Sequence, residues 1–454
     1  MTNKLAPISA REAPKPATAT LPGSRGAWSP PSMSSVEDTG LNLITISDLV
    51  AKVLYFGGLM TGFRVAEIVR LPYTGVVDRT LEFLKREKFV EVKGSGGIGE
   101  GAWQYMLSVK GAEKARQALD RSQYASACPV TLAQYIEAML AQNQTQLSIG
   151  PEMLKRALSH LTVTEEMMGR VGPAVNSGRS MFLYGPPGNG KTTIAESVGR
   201  MVLGRDIWIP YAVDIDGQTV RVFDDVNHEL LETANTVGDT GSLPRATGVR
   251  ADPRWVRIRR PVIIVGGELT MEGLDLVWDD TNHYYEAPYQ MKANGGMLLI
   301  DDFGRQQVRP RDLLNRWIVP LEKQVDYLTL HTGRKIEVPF FVLVVFSTNI
   351  EPSDLVDEAF LRRIRHKIAV GDPSFEQYRD IFKQVCSQKH VPYDEEVLKY
   401  VIKKWYIDAE RNLRCVHPRD LIDQIIDISK YTNQPPRMTR EMMDRAAAAY
   451  FVDL

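Results

Sequence analysis

Four apolar residues, Met181-Phe182-Leu183-Tyr184, run straight into Gly185-Pro186-Pro187-Gly188-Asn189-Gly190-Lys191-Thr192-Thr193. These lead directly into the helical spacing of Ile194, Val198, Met201 and Val202. A buried strand, a glycine-rich loop and a helix in immediate succession leave the chain little choice. The strand belongs in a sheet, and the helix must pack back across it. The glycines let consecutive backbone N–H groups turn inward around a phosphate chain, and the helix adds the positive end of its dipole. Lys191 would then reach the β- and γ-phosphates, and the Thr192 hydroxyl would ligate Mg²⁺. The stretch reads as a site for a nucleoside triphosphate.

Two more strand patterns end in polar residues. Met297-Leu298-Leu299-Ile300 terminates in Asp301-Asp302, about 110 residues after Lys191. A carboxylate ending such a strand suits the Mg²⁺ site of a P-loop ATPase, which points to Asp301. Asp302 is then placed to orient or deprotonate an attacking water. Phe341–Phe346 is followed by Ser347-Thr348-Asn349. A polar side chain at the carboxyl end of another parallel strand would stand beside the γ-phosphate. Before it, Tyr327–His331 and Arg334–Val338 read as a hairpin turned at Thr332-Gly333. After it come Ala359-Phe360-Leu361-Arg362-Arg363-Ile364-Arg365 and, later, His417-Pro418-Arg419-Asp420.

Together these segments resemble an AAA+ ATPase over residues from about 150 to 454, with Walker A at Gly185–Thr192, Walker B ending at Asp301-Asp302 and sensor 1 at Asn349. The resemblance implies an arginine finger at Arg363 or Arg362, with Arg363 preferred, acting on the ATP of a neighbouring subunit. It implies a sensor-2 arginine at Arg419 in a helical lid, Mg²⁺-dependent ATP hydrolysis, and a homo-oligomer, by family a hexameric ring that remodels a client. The hairpin ahead of sensor 1, and the stretch from Leu313-Leu314-Asn315 to Asn349, look most like the MoxR-type branch. Leu299-Ile300-Asp301-Asp302-Phe303-Gly304 instead resembles the helicase-loader and transposon-helper branch (DnaC/IstB-like). Asp302 stands where the family usually carries Glu, and the shorter side chain lies farther from the γ-phosphate. A nucleotide-dependent scaffold with little hydrolysis is therefore a third reading.

The client is open between a protein complex, as for a MoxR-like chaperone, and DNA. About a hundred residues separate the loop helix from Asp301. Within them Tyr211–Ile215, Asp216-Gly217 and Gln218–Val222 read as a hairpin with Val213 opposite Val220. Arg245, Arg250, Arg254, Arg257, Arg259 and Arg260, with Trp255 among them, form a strip with one acid, Asp252. The strip suits a nucleic-acid patch, a subunit interface or a solvated loop. Tyr284, Tyr285 and Tyr289 are candidates for aromatic pore-loop residues or for packing.

Upstream, residues 1–40 hold six of the 26 prolines and few large apolar residues, the composition of a disordered tail. Residues 41–120 read helix, helix, helix, hairpin, helix, with Ser47 as a cap, Thr61 or Gly62 opening the second helix and Gly94–Gly101 as the hairpin turn. This order resembles a winged-helix domain. It carries 11 Lys/Arg against 9 Asp/Glu, an excess too small to predict strong DNA binding. Residues 121–175 read as a helical connector, 176–372 as the nucleotide-binding unit with an insertion at about 205–290, and 373–454 as the helical lid. The expected fold class is α/β: a P-loop doubly wound parallel sheet with a C-terminal helical lid, preceded by the small winged-helix-like domain. The whole chain has 55 Lys+Arg against 56 Asp+Glu, so no global basic field points to nucleic acid. Three scattered cysteines fit a reducing cytosol. No apolar run approaches the ~20 residues of a spanning helix, which predicts a cytoplasmic protein without membrane insertion.

Overall fold

A computed structural model of the chain describes residues 28–143, 149–202, 206–231, 251–355 and 361–451. Its centre is a five-stranded parallel sheet in the order Val262–Val265, Met297–Ile300, Leu343–Thr348, Met181–Tyr184, His366–Ala369. The middle strands are apolar almost throughout because both faces are covered. Met181, Leu183, Leu299 and Val345 face one layer, which includes Ile194 and Val198 of the helix Lys191–Val202. Phe182, Leu298, Ile300, Val344 and Phe346 face the other, against Phe303, Leu313 and Trp317. This is the expected doubly wound α/β arrangement. Because every strand runs the same way, the loop after Tyr184, the Asp301-Asp302 pair and Asn349 all emerge at one edge.

The interval before Asp301 builds a second core. Val277–Asp279, Tyr284–Glu286, Gln218–Arg221, Ala212–Ile215 and Val130–Thr131 form a mixed sheet in that order. The Asp216-Gly217 turn has φ of 54° and 81°, the positive values that a tight two-residue hairpin needs, and Val213 lies opposite Val220. Asp206–Pro210 pairs with Trp255–Arg259. The hairpin Val325–Thr329/Lys335–Pro339 packs into the same core through Leu328, Ile336 and Val338, as does Tyr135 of the helix Leu132–Asn143. The stretch expected as one helical connector therefore divides. Leu132–Asn143 serves the second core, whereas Pro151–Ala157 and Glu165–Asn176 cover the central sheet.

The N-terminal unit consists of helices Leu43–Gly57, Gly62–Val69, Asp78–Arg86 and Val109–Arg121. They accompany a small antiparallel sheet of Met60–Thr61, Trp103–Leu107 and Val90–Ser95. Of Thr61 and Gly62, Thr61 is the cap, accepting from Arg64 N at 3.2 Å, and Gly62 begins the helix. The first cap is not Ser47 but Asn42, five residues earlier. Ser47 lies buried inside the helix and satisfies its hydroxyl on Leu43 O at 2.6 Å. Residues 28–40 depart from the tail expected of 1–40, while residues 1–27 lie outside the described residues. Trp28 meets Trp255 edge to face at 5.5 Å, and Met33 and Val36 pack on the N-terminal core. Arg254, 1% exposed and ion-paired to Asp252 at 2.8 Å, donates to Thr39 O and Pro129 O. A few apolar anchors thus offset the ordering cost that the proline content alone suggests.

The lid comprises Phe375–Gln388, Glu395–Ile402, His417–Thr432 and Arg440–Tyr450, packed around Tyr378, Phe382, Leu421 and Ile425. His417 Nδ1 lies 3.0 Å from Tyr406 Oη, which lies 2.6 Å from Tyr378 Oη. Burial, helped by Arg414 and opposed by Asp420, pushes the imidazole from its ordinary 6.5 down to about 4. An unfolded lid takes up a proton below 6.5, whereas the folded one resists it until about 4. The stability that neutral His417 contributes is therefore present above 6.5 and is lost as pH falls through that window. Melting temperatures measured against pH are expected to fall there, and His417→Gln to flatten that part of the profile. Among the described residues no helix is long and apolar enough to cross a membrane.

Candidate active site

Three positive-φ glycines shape the loop after Tyr184: Gly185 (133°), Gly188 (79°) and Gly190 (80°). At Gly188 even a Cβ would come within 2.7 Å of Val416 of the lid, so the loop and the lid approach closely only because that side chain is missing. Lys191 opens the following helix, and its side chain is buried across the loop. Nζ donates to Gly185 O and Pro186 O, both at 2.9 Å, and to Asn349 Oδ1 at 2.7 Å. Burial pulls the Lys191 amine below its ordinary value, and Asp301 and Asp302 push back toward the charged form. The Thr192 hydroxyl lies 3.0 and 2.9 Å from the two carboxylate oxygens of Asp301. Asn349 Nδ2 donates to Asp302 Oδ1 at 3.0 Å, so one amide joins the lysine to the second carboxylate.

Asp302 has φ of 48°, in the left-handed region. Its neighbours hold it there. Phe303 N donates to Ser347 O and Thr348 Oγ1 donates to Phe303 O, both at 2.7 Å. Asp tolerates this backbone better than longer residues because its short polar side chain finds local partners. The Asp at this position thus has a conformational reason that the strand pattern could not reveal.

The structure accordingly brings Gly185–Thr193, Asp301, Asp302 and Asn349 to one place. It also adds residues that no motif announced. Asn189 donates to Asp372 Oδ1 at 2.8 Å and accepts from Cys415 N at 3.2 Å. Gly188 O accepts from Val416 N at 2.8 Å, and Arg414 pairs with Asp372. Asp372 and Arg414 lie in irregular segments with no periodicity to flag them. Arg419, the expected lid arginine, points elsewhere: its side chain is 61% exposed and pairs with Asp420 at 3.1 Å.

Arg362 and Arg363 are at the opposite edge of the sheet. They precede His366, which pairs with Met181 at the start of the strand, whereas the loop follows Tyr184 at its end. Roughly 13 Å of strand separates the two edges, so these arginines do not serve their own chain's loop. Arg363 Nε contacts Glu322 Oε1 at 2.6 Å.

The arginine strip disperses. Arg254 is buried, Arg257 pairs with Asp206, Arg259 with Glu229 at 3.0 Å, and Arg260 donates to Gly295 O. Arg245 and Arg250 lie outside the described residues. The tyrosines go to packing: Tyr285 is fully buried against His331, Tyr284 meets Tyr124 at 5.7 Å, and Tyr289 packs beside the central core.

A family described as Domain of unknown function (DUF8689) matches residues 374–449, the lid. No curated protein matches. Among solved structures, the chain is similar to NtrX from Brucella abortus in complex with ADP, at 14% identity and a TM-score of 0.38. That match covers 73% of this chain, which spans 64% of the length of the NtrX chain. It is also similar to a RuvB mutant from Thermotoga maritima, at 13% identity and a TM-score of 0.34, covering 67% of this chain and 72% of that one. Likenesses this distant say nothing of activity.

Proposed function

We propose that this chain is an AAA+ ATPase that hydrolyses ATP with Mg²⁺ in a ring of identical subunits and uses the work to remodel a protein client. The observation that carries the reading is the convergence of Lys191, Thr192, Asp301, Asp302 and Asn349 on one glycine-rich loop at the carboxyl edge of the sheet.

The loop N–H groups and the start of the helix Lys191–Val202 would bind the phosphates. Lys191 would exchange its carbonyl partners for β- and γ-phosphate oxygens. The Thr192 hydroxyl and the Asp301 carboxylate fit Mg²⁺, because both are hard oxygen donors already in contact and Mg²⁺ typically takes one or two carboxylates with substrate phosphates. Bound there, the ion supplies charge neutralisation to the phosphate oxygens. Asp302, steadied by Asn349, would orient a water toward the γ-phosphorus. The water oxygen adds there, the bond to the bridging oxygen breaks, and ADP, phosphate and a proton result. Arg363, with Arg362 beside it, would act on the neighbouring subunit's ATP. Arg419 would report nucleotide state once the lid turns it inward.

The helix order and antiparallel sheet of residues 43–121 support a winged-helix unit, and the hairpin Val325–Thr329/Lys335–Pro339 supports the MoxR-like branch. A protein client is favoured over DNA because three of the cations on the third helix and the adjoining strand have local partners. Lys85 lies 5.1 Å over Trp103, Arg86 3.7 Å from Glu87 and Lys93 2.5 Å from Glu91. The test is phosphate release with and without a metal chelator, and again with duplex DNA. Release that stops on chelation and ignores DNA is expected. ATP bound without release would leave the scaffold reading, and salt-sensitive DNA binding that stimulates turnover would overturn the protein client.

A further inference from the structure

Asp372 lies in the covalent link between the sheet and the lid, three residues beyond the strand His366–Ala369 and three before the helix Phe375–Gln388. The link runs hard against the phosphate loop. Val370 N donates to Tyr184 O at 2.8 Å, and a Cβ at Gly185 would stand 2.4 Å from Val370 O. From there one carboxylate oxygen, Asp372 Oδ1, accepts from two sides: from Asn189 Nδ2 of the loop at 2.8 Å, and from the Arg414 guanidinium of the lid. Loop and lid also meet directly. Asn189 Oδ1 accepts from Cys415 N at 3.2 Å, and Gly188 O accepts from Val416 N at 2.8 Å. Asn189 is 4% exposed with both ends of its amide engaged, so a shift of the loop there breaks a bond to the link, to the lid or to both. On the loop's side this tie uses a carbonyl and a side chain. Phosphates are held by a loop's N–H groups, so the tie and a bound nucleotide draw on different atoms.

We propose that Asp372 is a positioning residue that clamps the lid to the phosphate loop while nucleotide is bound, and so sets how fast the nucleotide leaves. This rests on the nucleotide site of the ATPase reading above. Asp372 acts through Asn189 on the loop and Arg414 on the lid. Because both lean on the same oxygen, losing the carboxylate charge loosens the lid and leaves the Arg414 guanidinium without its counter-ion. The clamp grips the lid at Arg414–Val416, immediately ahead of the helix His417–Thr432, and leaves the exposed Arg419 on that helix outside it.

The experiment follows release of a fluorescent ADP from the full chain with Mg²⁺, chased by unlabelled ADP. Asp372→Asn keeps the side chain's shape and an oxygen for Asn189 but loses the charge that holds Arg414. It is expected to release the probe about fivefold faster or more, a modest factor because the ion pair is partly exposed. Arg414→Ala should speed release by a similar factor, and the double variant no further than either alone, because both remove one tie. The association rate should not fall. A fall, or a loss of binding amplitude, makes Asp372 merely structural and overturns the proposal. Unchanged release in both single variants overturns it as well. So do factors that multiply in the double variant, which would mean two separate effects, and slower release, which would mean that the freed guanidinium grips the phosphates itself. Should Asp372→Asn fail to fold, Arg414→Ala decides alone. A wild-type chain that binds ADP without hydrolysing ATP sinks the ATPase reading and leaves the clamp to be judged by these release rates. One that binds no nucleotide sinks both.

Discussion

Arg363→Ala is expected to lower ATP turnover by about 10³-fold or more while leaving ATP bound. The guanidinium lies about 13 Å of strand away from its own loop, so its removal leaves that loop's contacts with Lys191, Thr192 and Asp301 intact. Charge developing on the transferred phosphoryl group would then go uncompensated at the neighbour's site. Arg363→Lys should recover little, because a point charge cannot reproduce the planar fork. The check is phosphate release at saturating ATP beside a binding titration. A full rate in Arg363→Ala together with a collapsed rate in Arg362→Ala would move the finger one residue back.

Lys191→Ala is expected to reduce turnover to background and to weaken ATP binding. Lys191 is 6% exposed, and its amine donates to Gly185 O, Pro186 O and Asn349 Oδ1 together. Alanine removes the positive charge facing Asp301 and Asp302, so phosphates entering the loop would meet two carboxylates without the cation that offsets them. The loop's shape should survive, because its glycine conformations and the bond from Val416 N to Gly188 O do not involve the lysine side chain. Titration with a fluorescent nucleotide and phosphate release together check this. Turnover persisting in Lys191→Ala would mean hydrolysis at some other site.

What was legible in the sequence was whatever local pattern determines. Phosphate binding demands a strand, positive-φ glycines and a helix N-terminus in unbroken order, so Met181–Thr193 could be read directly. The hairpin at Asp216-Gly217 was legible for the same reason, down to the pairing of Val213 with Val220. Features set by distant residues were not. The sequence leaves the arginine strip open between a patch, an interface and a solvated loop because Asp206 and Glu229, which take up Arg257 and Arg259, lie 51 and 30 residues away in the chain. Residues 28–40 looked like tail because the partner of Trp28 is Trp255. Asp372 and Arg414 carry no motif, and only the fold brings them to the loop. Asp302 is visible in the sequence as a departure from the AAA+ pattern that the chain resembles, while its left-handed backbone is not.

On the proposed reading, the site hydrolyses ATP only when a neighbouring copy completes it. ATP turnover per subunit, measured across a wide range of protein concentrations with Lys191→Ala as the blank and particle size followed in parallel, tests that most directly. We expect a rate per subunit that climbs as assemblies form and then reaches a plateau. A rate well above the blank that stays flat while the particles are monomeric would contradict it, and would mean a site sufficient in itself.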